Sequence, residues 1–155
     1  MGAVERFLDA AEAAGVRADV RRFPDGTKTA ADAARAIGCD VAQIVKSLVF
    51  VVDERPVIAF TSGSNRVDPG KLAAVAGGSR SRRATPEEAR AATGFAVGGT
   101  PPFGYPAPVL SYLDPDLAAF EEVWAAAGTP DSVFPLPPEA LERVAGAVRA
   151  DFTEG

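Results

Sequence analysis

The sequence predicts an α+β domain in which a curved, mixed and largely antiparallel β-sheet is flanked by helices. Two apolar runs, residues 43–52 and 57–60, are separated only by Asp53-Glu54-Arg55 and Pro56, a connection short enough for an antiparallel hairpin. Capped helix starts at Thr29, Asp68 and Thr85 fall between strand-like runs. No composition shift or internal repeat divides the 155 residues, so residues 1–155 read as one domain with a sizeable core.

Val4, Phe7, Leu8, Ala11 and Ala14 recur at helical spacing, and Gly15 stops that helix. Residues 18–23 read as a short strand, turned by Pro24-Asp25-Gly26. Thr29 and Asp32 resemble a capping box with a short acid, opening a helix over residues 30–37 that Gly38 closes. A helical turn at residues 41–43 feeds the strand that carries Lys46. Asp68 caps a helix with Pro69 at its first position, and Gly77-Gly78 ends it. A strand near residues 79–82 precedes a helix capped by Thr85, with Glu88 placed for the reciprocal bond and Thr93-Gly94 as the stop. From Phe95 to Pro108, glycines and prolines deny both helix and ladder, which leaves a shaped loop. Residues 109–113 return to strand, and Asp114-Pro115-Asp116 turns. Short strands follow at Val123-Trp124-Ala125 and Val133-Phe134, separated by a turn at residues 128–131. Pro138-Glu139 opens a last helix, and residues 148–151 add an edge strand.

Composition excludes several functional classes. Apolar residues make up 47% of the chain, yet no apolar run approaches a membrane span. Glu5, Arg6 and Asp9 interrupt any export signal, so a cytoplasmic protein is expected. Cys39 is alone and histidine is absent, which removes an internal disulfide and the common zinc sites. Neither metal nor cofactor is expected. A net charge of −5 argues against bulk capture of nucleic acid, but Arg66, Lys71, Arg80, Arg82 and Arg83 concentrate basic charge locally. Such a rim suits the end of a nucleic acid; an ordinary solvated surface is the plain alternative.

Lys46 is the most informative residue, because an ammonium inside an apolar strand must find a partner, reach water or lose its proton. Alternation puts Ile44, Lys46, Leu48 and Phe50 on one face and Val45, Ser47, Val49 and Val51 on the other. Two segments are suited to complete a pocket around Lys46. One is Ser62-Gly63-Ser64-Asn65 with Arg66 and Asp68, although Asp68 reads chiefly as a helix cap. The other is Gly98-Gly99-Thr100-Pro101-Pro102-Phe103-Gly104, which matches neither a Walker loop nor a dinucleotide fingerprint. Glycines there let backbone amides approach a ligand, and prolines stiffen them, as oxyanion donors require. Conventional nucleophilic machinery is missing: without histidine Ser47 has no activator, and Cys39 reads as a packed small residue.

The segments 29–34 and 43–50, Arg66-Val67-Asp68 with Lys71-Leu72, Thr85-Pro86-Glu87-Glu88 with Thr93-Gly94, and the Gly98–Gly104 loop together resemble the YbaK/ProRS-associated editing domains. The tail from Val123 to Pro130, with Phe134 and Leu141, is similar to that of small stand-alone members. The resemblance implies an α+β fold and trans-acting hydrolysis of the ester joining a wrong amino acid to the tRNA 3′ end. It implies that Lys46 holds the terminal adenosine or the reacting carbonyl, with Gly98, Gly99 and Gly104 beside the ester. Ser62, Asn65, Arg66, Asp68, Thr100, Pro101 and Phe103 would contact substrate, and Lys71, Arg80, Arg82 and Arg83 would hold tRNA phosphates. The partners implied are the acceptor end of mischarged tRNA and prolyl-tRNA synthetase. Lacking the histidine of some alanine-specific members, the chain looks closer to the cysteinyl-tRNA(Pro) deacylases. A non-catalytic module that binds a tRNA end or nucleotide beside a synthetase is the alternative.

Overall fold

The structure is a computed structural model that describes residues 2–24 and 29–155. The elements run α1 (Ala3–Ala13), β1 (Arg21–Arg22), α2 (Ala30–Ile37), β2 (Val45–Val52), β3 (Arg55–Ser62), α3 (Pro69–Val75) and β4 (Ser81–Arg83). They continue with α4 (Pro86–Thr93), β5 (Leu110–Leu113), β6 (Val123–Ala126), β7 (Ser132–Leu136), α5 (Pro138–Ala145) and β8 (Val148–Arg149). Short 3₁₀ turns cover Val41–Gln43 and Pro115–Ala119.

The β2–β3 hairpin is tighter than the sequence suggests. Val52 pairs with Arg55, so only Asp53 and Glu54 form the turn, with φ of 46° and 73°. Paired positive φ values give a turn the twist that the flanking strands need. Asp53 is fixed there because its carboxylate accepts the Ser79 and Arg80 amides at 2.9 and 3.0 Å.

The strands divide between two sheets where one was expected. A mixed five-stranded sheet has the order β4-β2-β3-β5-β8, parallel at β3–β5 and β5–β8, and an antiparallel three-stranded sheet has the order β1-β7-β6. A bridge between Ile44 and Trp124 joins them. The expected alternation along β2 then sorts the core. Val45 and Val49, with Ile58, Phe60 and Leu113, pack on Phe7, Val123, Phe134 and Leu141. Phe50 and Val52, with Val57, Ala59 and Tyr112, pack on Leu72 and Phe152. Fully burying each of these large side chains contributes about 1.5–3 kcal/mol.

Some ends differ from expectation. Of residues 18–23 only Arg21 and Arg22 pair with β7, and β8 stops at Arg149, so both edge strands are shorter than their apolar patterns suggest. Thr29 accepts the Asp32 amide, but the Asp32 carboxylate takes Arg35 at 2.7 Å instead of reaching back to the cap. Leu8 lies off the buried stripe of α1 and is exposed. Both halves of the Thr85–Glu88 capping box form. Asp25 and Gly26 of the expected turn lie outside the described residues. Among the described residues no helix is long and apolar enough to cross a membrane.

Candidate active site

β4 pairs with β2 only at Phe50–Val52, and Ala84 adds one bond to the Val49 carbonyl. Toward Val45 the edge of β2 instead borders a cavity of about 290 Å³. An uncovered edge lets both faces of the strand contribute, so Lys46 and Leu48 line this space together with Val45, Ser47 and Val49. Ala30 and Ala33 come from α2, and Trp124 and Ala126 from β6. Val97, Gly98 and Thr100 come from the glycine/proline loop. Lys46 and Arg83 are the charged groups among the described lining residues.

Lys46 is half-buried, and its Nζ donates to the Asn65 carbonyl. Burial holds its pKa below the ordinary lysine value, repulsion from Arg66 and Arg83 lowers it further, and Asp114 opposes both. The carbonyl that receives Lys46 is itself held by a network. Buried Asp114 accepts the Ser62 amide at 3.0 Å and Asn65 Nδ2 at 2.8 Å through Oδ2, and the Asp116 amide at 3.0 Å through Oδ1. Asn65 Nδ2 also donates to Asp116 Oδ2 at 2.7 Å, and Ser62 Oγ donates to the Ala42 carbonyl at 2.8 Å. The side chains of Ser62 and Asn65 are thus committed to shaping the loop. Asp68 accepts the Gly70 and Lys71 amides at 2.9 and 3.2 Å and caps α3.

The Gly98–Gly104 segment serves two places. Gly98 has φ of 86° and lines the Lys46 cavity with Thr100. Among the described residues, neither the Gly98 nor the Thr100 amide has a hydrogen-bond acceptor. Gly99 differs: its amide donates to Ala96 and its carbonyl accepts from Gly128, each at 3.0 Å. A Cβ on Gly99 would stand 2.7 Å from Thr129 Cα, so this glycine permits a close backbone crossing. The buried Pro101 carbonyl accepts the Tyr105 hydroxyl at 2.6 Å, and burial pushes that phenol's pKa up. Phe103 is in the core, its ring centroid 5.2 Å from that of Phe7. Phe103 and Gly104 also border a separate hollow beside Arg143 and Val144 of α5, and neither lines the Lys46 cavity.

The basic residues divide similarly. Arg82 forms a two-point pair with Glu88 at 2.7 and 2.9 Å, which holds the Glu88 carboxyl down at about 2. Lys71 donates to the Thr153 carbonyl at 2.9 Å and lies 3.5 Å from Asp151. Arg83 lines the cavity with its guanidinium 5.6 Å from the Phe50 ring centre. Arg66 and Arg80 are exposed, with no ion pair among the described residues.

Several lining residues escaped the sequence reading. From the sequence, Ser47 reads as a nucleophile without an activator, Trp124 as core in preference to a base-stacking platform, and the alanines of α2 as helix formers. The signal for Ser47 is a hydroxyl next to Lys46 in an otherwise apolar run. Trp124 is buried in the cluster with Ala33, Ile44 and Val133 and also walls the cavity.

Residues 24–144 match the aminoacyl-tRNA editing domain, and the chain belongs to that family. A solved structure described as a candidate trans-editing enzyme for prolyl-tRNA synthetase superimposes with a TM-score of 0.94 at 46% identity, over 100% of this chain and 99% of that one. The uncharacterised protein YwhH of Bacillus subtilis is 32% identical over 123 residues, 79% of this chain and 78% of the relative. EbsC of Enterococcus faecalis, named as a candidate Cys-tRNA(Pro)/Cys-tRNA(Cys) deacylase, is 27% identical over 126 residues, 81% of this chain and 77% of that protein.

Proposed function

We propose that this chain is a trans-acting deacylase that hydrolyses the ester between a wrong, small amino acid and the 3′-terminal adenosine of tRNA. One observation carries the reading: Lys46 shares a cavity with Gly98 and Thr100, whose amides have no acceptor among the described residues. The adenosine end would enter beside Lys46, with Arg66 and Arg83 as its nearest cations and Arg80 further along the acceptor stem. Lys71 and Arg82, already paired, would contribute less. The Gly98 and Thr100 amides would hold the oxyanion of the tetrahedral intermediate. No carboxylate or imidazole lines the cavity among the described residues, so the attacking group is water or a substrate thiol. The vicinal ribose hydroxyl would relay its proton.

Cysteine on tRNA(Pro) is the first substrate to try, because EbsC is named for it and the structural neighbour is described as serving prolyl-tRNA synthetase. That synthetase is the proposed partner, and the cytoplasm, where tRNA is charged, the proposed location. The test is release of amino acid from a panel of mischarged tRNAs by wild type and Lys46→Ala. Wild type should turn over catalytically, and Lys46→Ala should lose about 100-fold or more, as when a charge-stabilising donor is removed. Tight tRNA binding without release would instead make the chain a non-catalytic tRNA-end module.

A further inference from the structure

Ser47 lines the Lys46 cavity, and among the described residues its buried Oγ is the side-chain polar atom without a hydrogen-bond partner. Hydroxyls nearby avoid this state. Thr61 donates to the Ala59 carbonyl at 3.1 Å, Ser62 to Ala42 at 2.8 Å and Ser111 to Val109 at 2.9 Å. An unsatisfied buried hydroxyl is costly, and such a group calls for a ligand or solvent partner. Val45, Val49, Ala89 and Trp124 give the same cavity an apolar part of its lining.

We propose that Ser47 Oγ binds the α-amino nitrogen of the aminoacyl group, a contact that rests on the editing reading of this cavity. The Gly98 and Thr100 amides, without acceptors among the described residues, are N–H donors, which suits the ester oxygen and not the amine. Among the described lining residues no carboxylate is present to hold an ammonium, whereas Lys46 and Arg83 both repel one. An α-amine has an ordinary pKa of roughly 7.7–8.0, and two neighbouring cations favour its neutral form. A neutral amine both donates and accepts, and a serine hydroxyl matches it in either sense. The apolar wall then takes the amino-acid side chain.

The contact is tested with two non-hydrolysable adenosines, carrying alanyl or propionyl through a 3′-amide, which differ only in the α-amine. Calorimetry on wild type and Ser47→Ala should show the alanyl compound weakened about tenfold, the size of one hydrogen bond, and the propionyl compound within about twofold. The thermal midpoint of Ser47→Ala should match or exceed that of wild type, because no protein partner is lost. Equal weakening of both compounds, no weakening, a lowered midpoint, or wild type binding neither compound would overturn the assignment. Ser47-dependent discrimination in a protein that releases no amino acid from any mischarged tRNA would keep the contact and retire the hydrolase reading.

Discussion

Two loops meet Lys46 and handle their polar groups in opposite ways. In the loop from Ser62 to Asp68, the side chains of Ser62, Asn65 and Asp68 bond to the protein itself, and Asp114 accepts both the Asn65 side chain and the Ser62 main-chain amide. In the loop from Val97 to Thr100, the Gly98 and Thr100 amides have no acceptor among the described residues, while Gly99 is locked between Ala96 and Gly128. The first loop aims Lys46. The second leaves room for a ligand. A polar residue beside a cavity is therefore weak evidence for binding until its existing partners are known.

Removing Asp114 breaks the first loop and should have the largest effect. Asp114→Ala strips acceptors from the Ser62 amide, Asn65 Nδ2 and the Asp116 amide at a site that is 1% exposed. The expected loss is about 3–5 kcal/mol, since hydrogen bonds to charged groups contribute roughly 1.5–3 kcal/mol each and do not add fully. Urea unfolding measures it. Lys46→Ala, by contrast, should change stability by about 1 kcal/mol or less, because the one hydrogen bond it removes is offset by relief of the burial and cation repulsion that disfavour the Lys46 charge. Similar losses for both variants would end the division between scaffold and site.

Much of this was legible in the residues, and the reason is local chemistry. Thr85-Pro86-Glu87-Glu88 and Asp68-Pro69 start helices through contacts within three residues, so reading them needs no tertiary knowledge. Lys46 stood out because its charge conflicts with its apolar neighbours. What stayed hidden depends on partners far away in the chain. Asn65 looks like a ligand group until Asp114 and Asp116 arrive, and Phe103 looks like part of a binding loop until Phe7 packs on it. The split into two sheets, joined at the bridge between Ile44 and Trp124, rests on long-range pairing that no periodicity encodes.

The two adjacent glycines sharpen the comparison at smaller scale. A methyl group on Gly99 would meet Thr129 Cα at 2.7 Å and the Gly128 oxygen at 2.8 Å, both backbone atoms that cannot swing away. A methyl on Gly98 would meet nothing nearer than Pro130 Cγ at 3.7 Å and would suffer only from φ of 86°. Gly99→Ala is expected to lose about 2–3 kcal/mol through overpacking and Gly98→Ala about 1 kcal/mol through backbone strain. Thermal unfolding of the pair decides it, and the reverse order would mean that Gly99 is not wedged against that crossing.

The smallest effect is electrostatic, and its sign follows from Lys46. Its folded-state pKa lies below the ordinary lysine value of about 10.4, so the unfolded chain holds this proton more tightly. Stability therefore rises with pH across the interval between the folded and unfolded values, while the charge that the site uses is lost there. The alkaline limb of kcat/KM, which reports the free enzyme, should fall below the pH of an unperturbed lysine. Lys46→Arg should remove that limb, since guanidinium does not titrate in this range. Arg66→Ala should move the limb upward by relieving repulsion, and a downward move would show that Arg66 does not act on Lys46 through its charge.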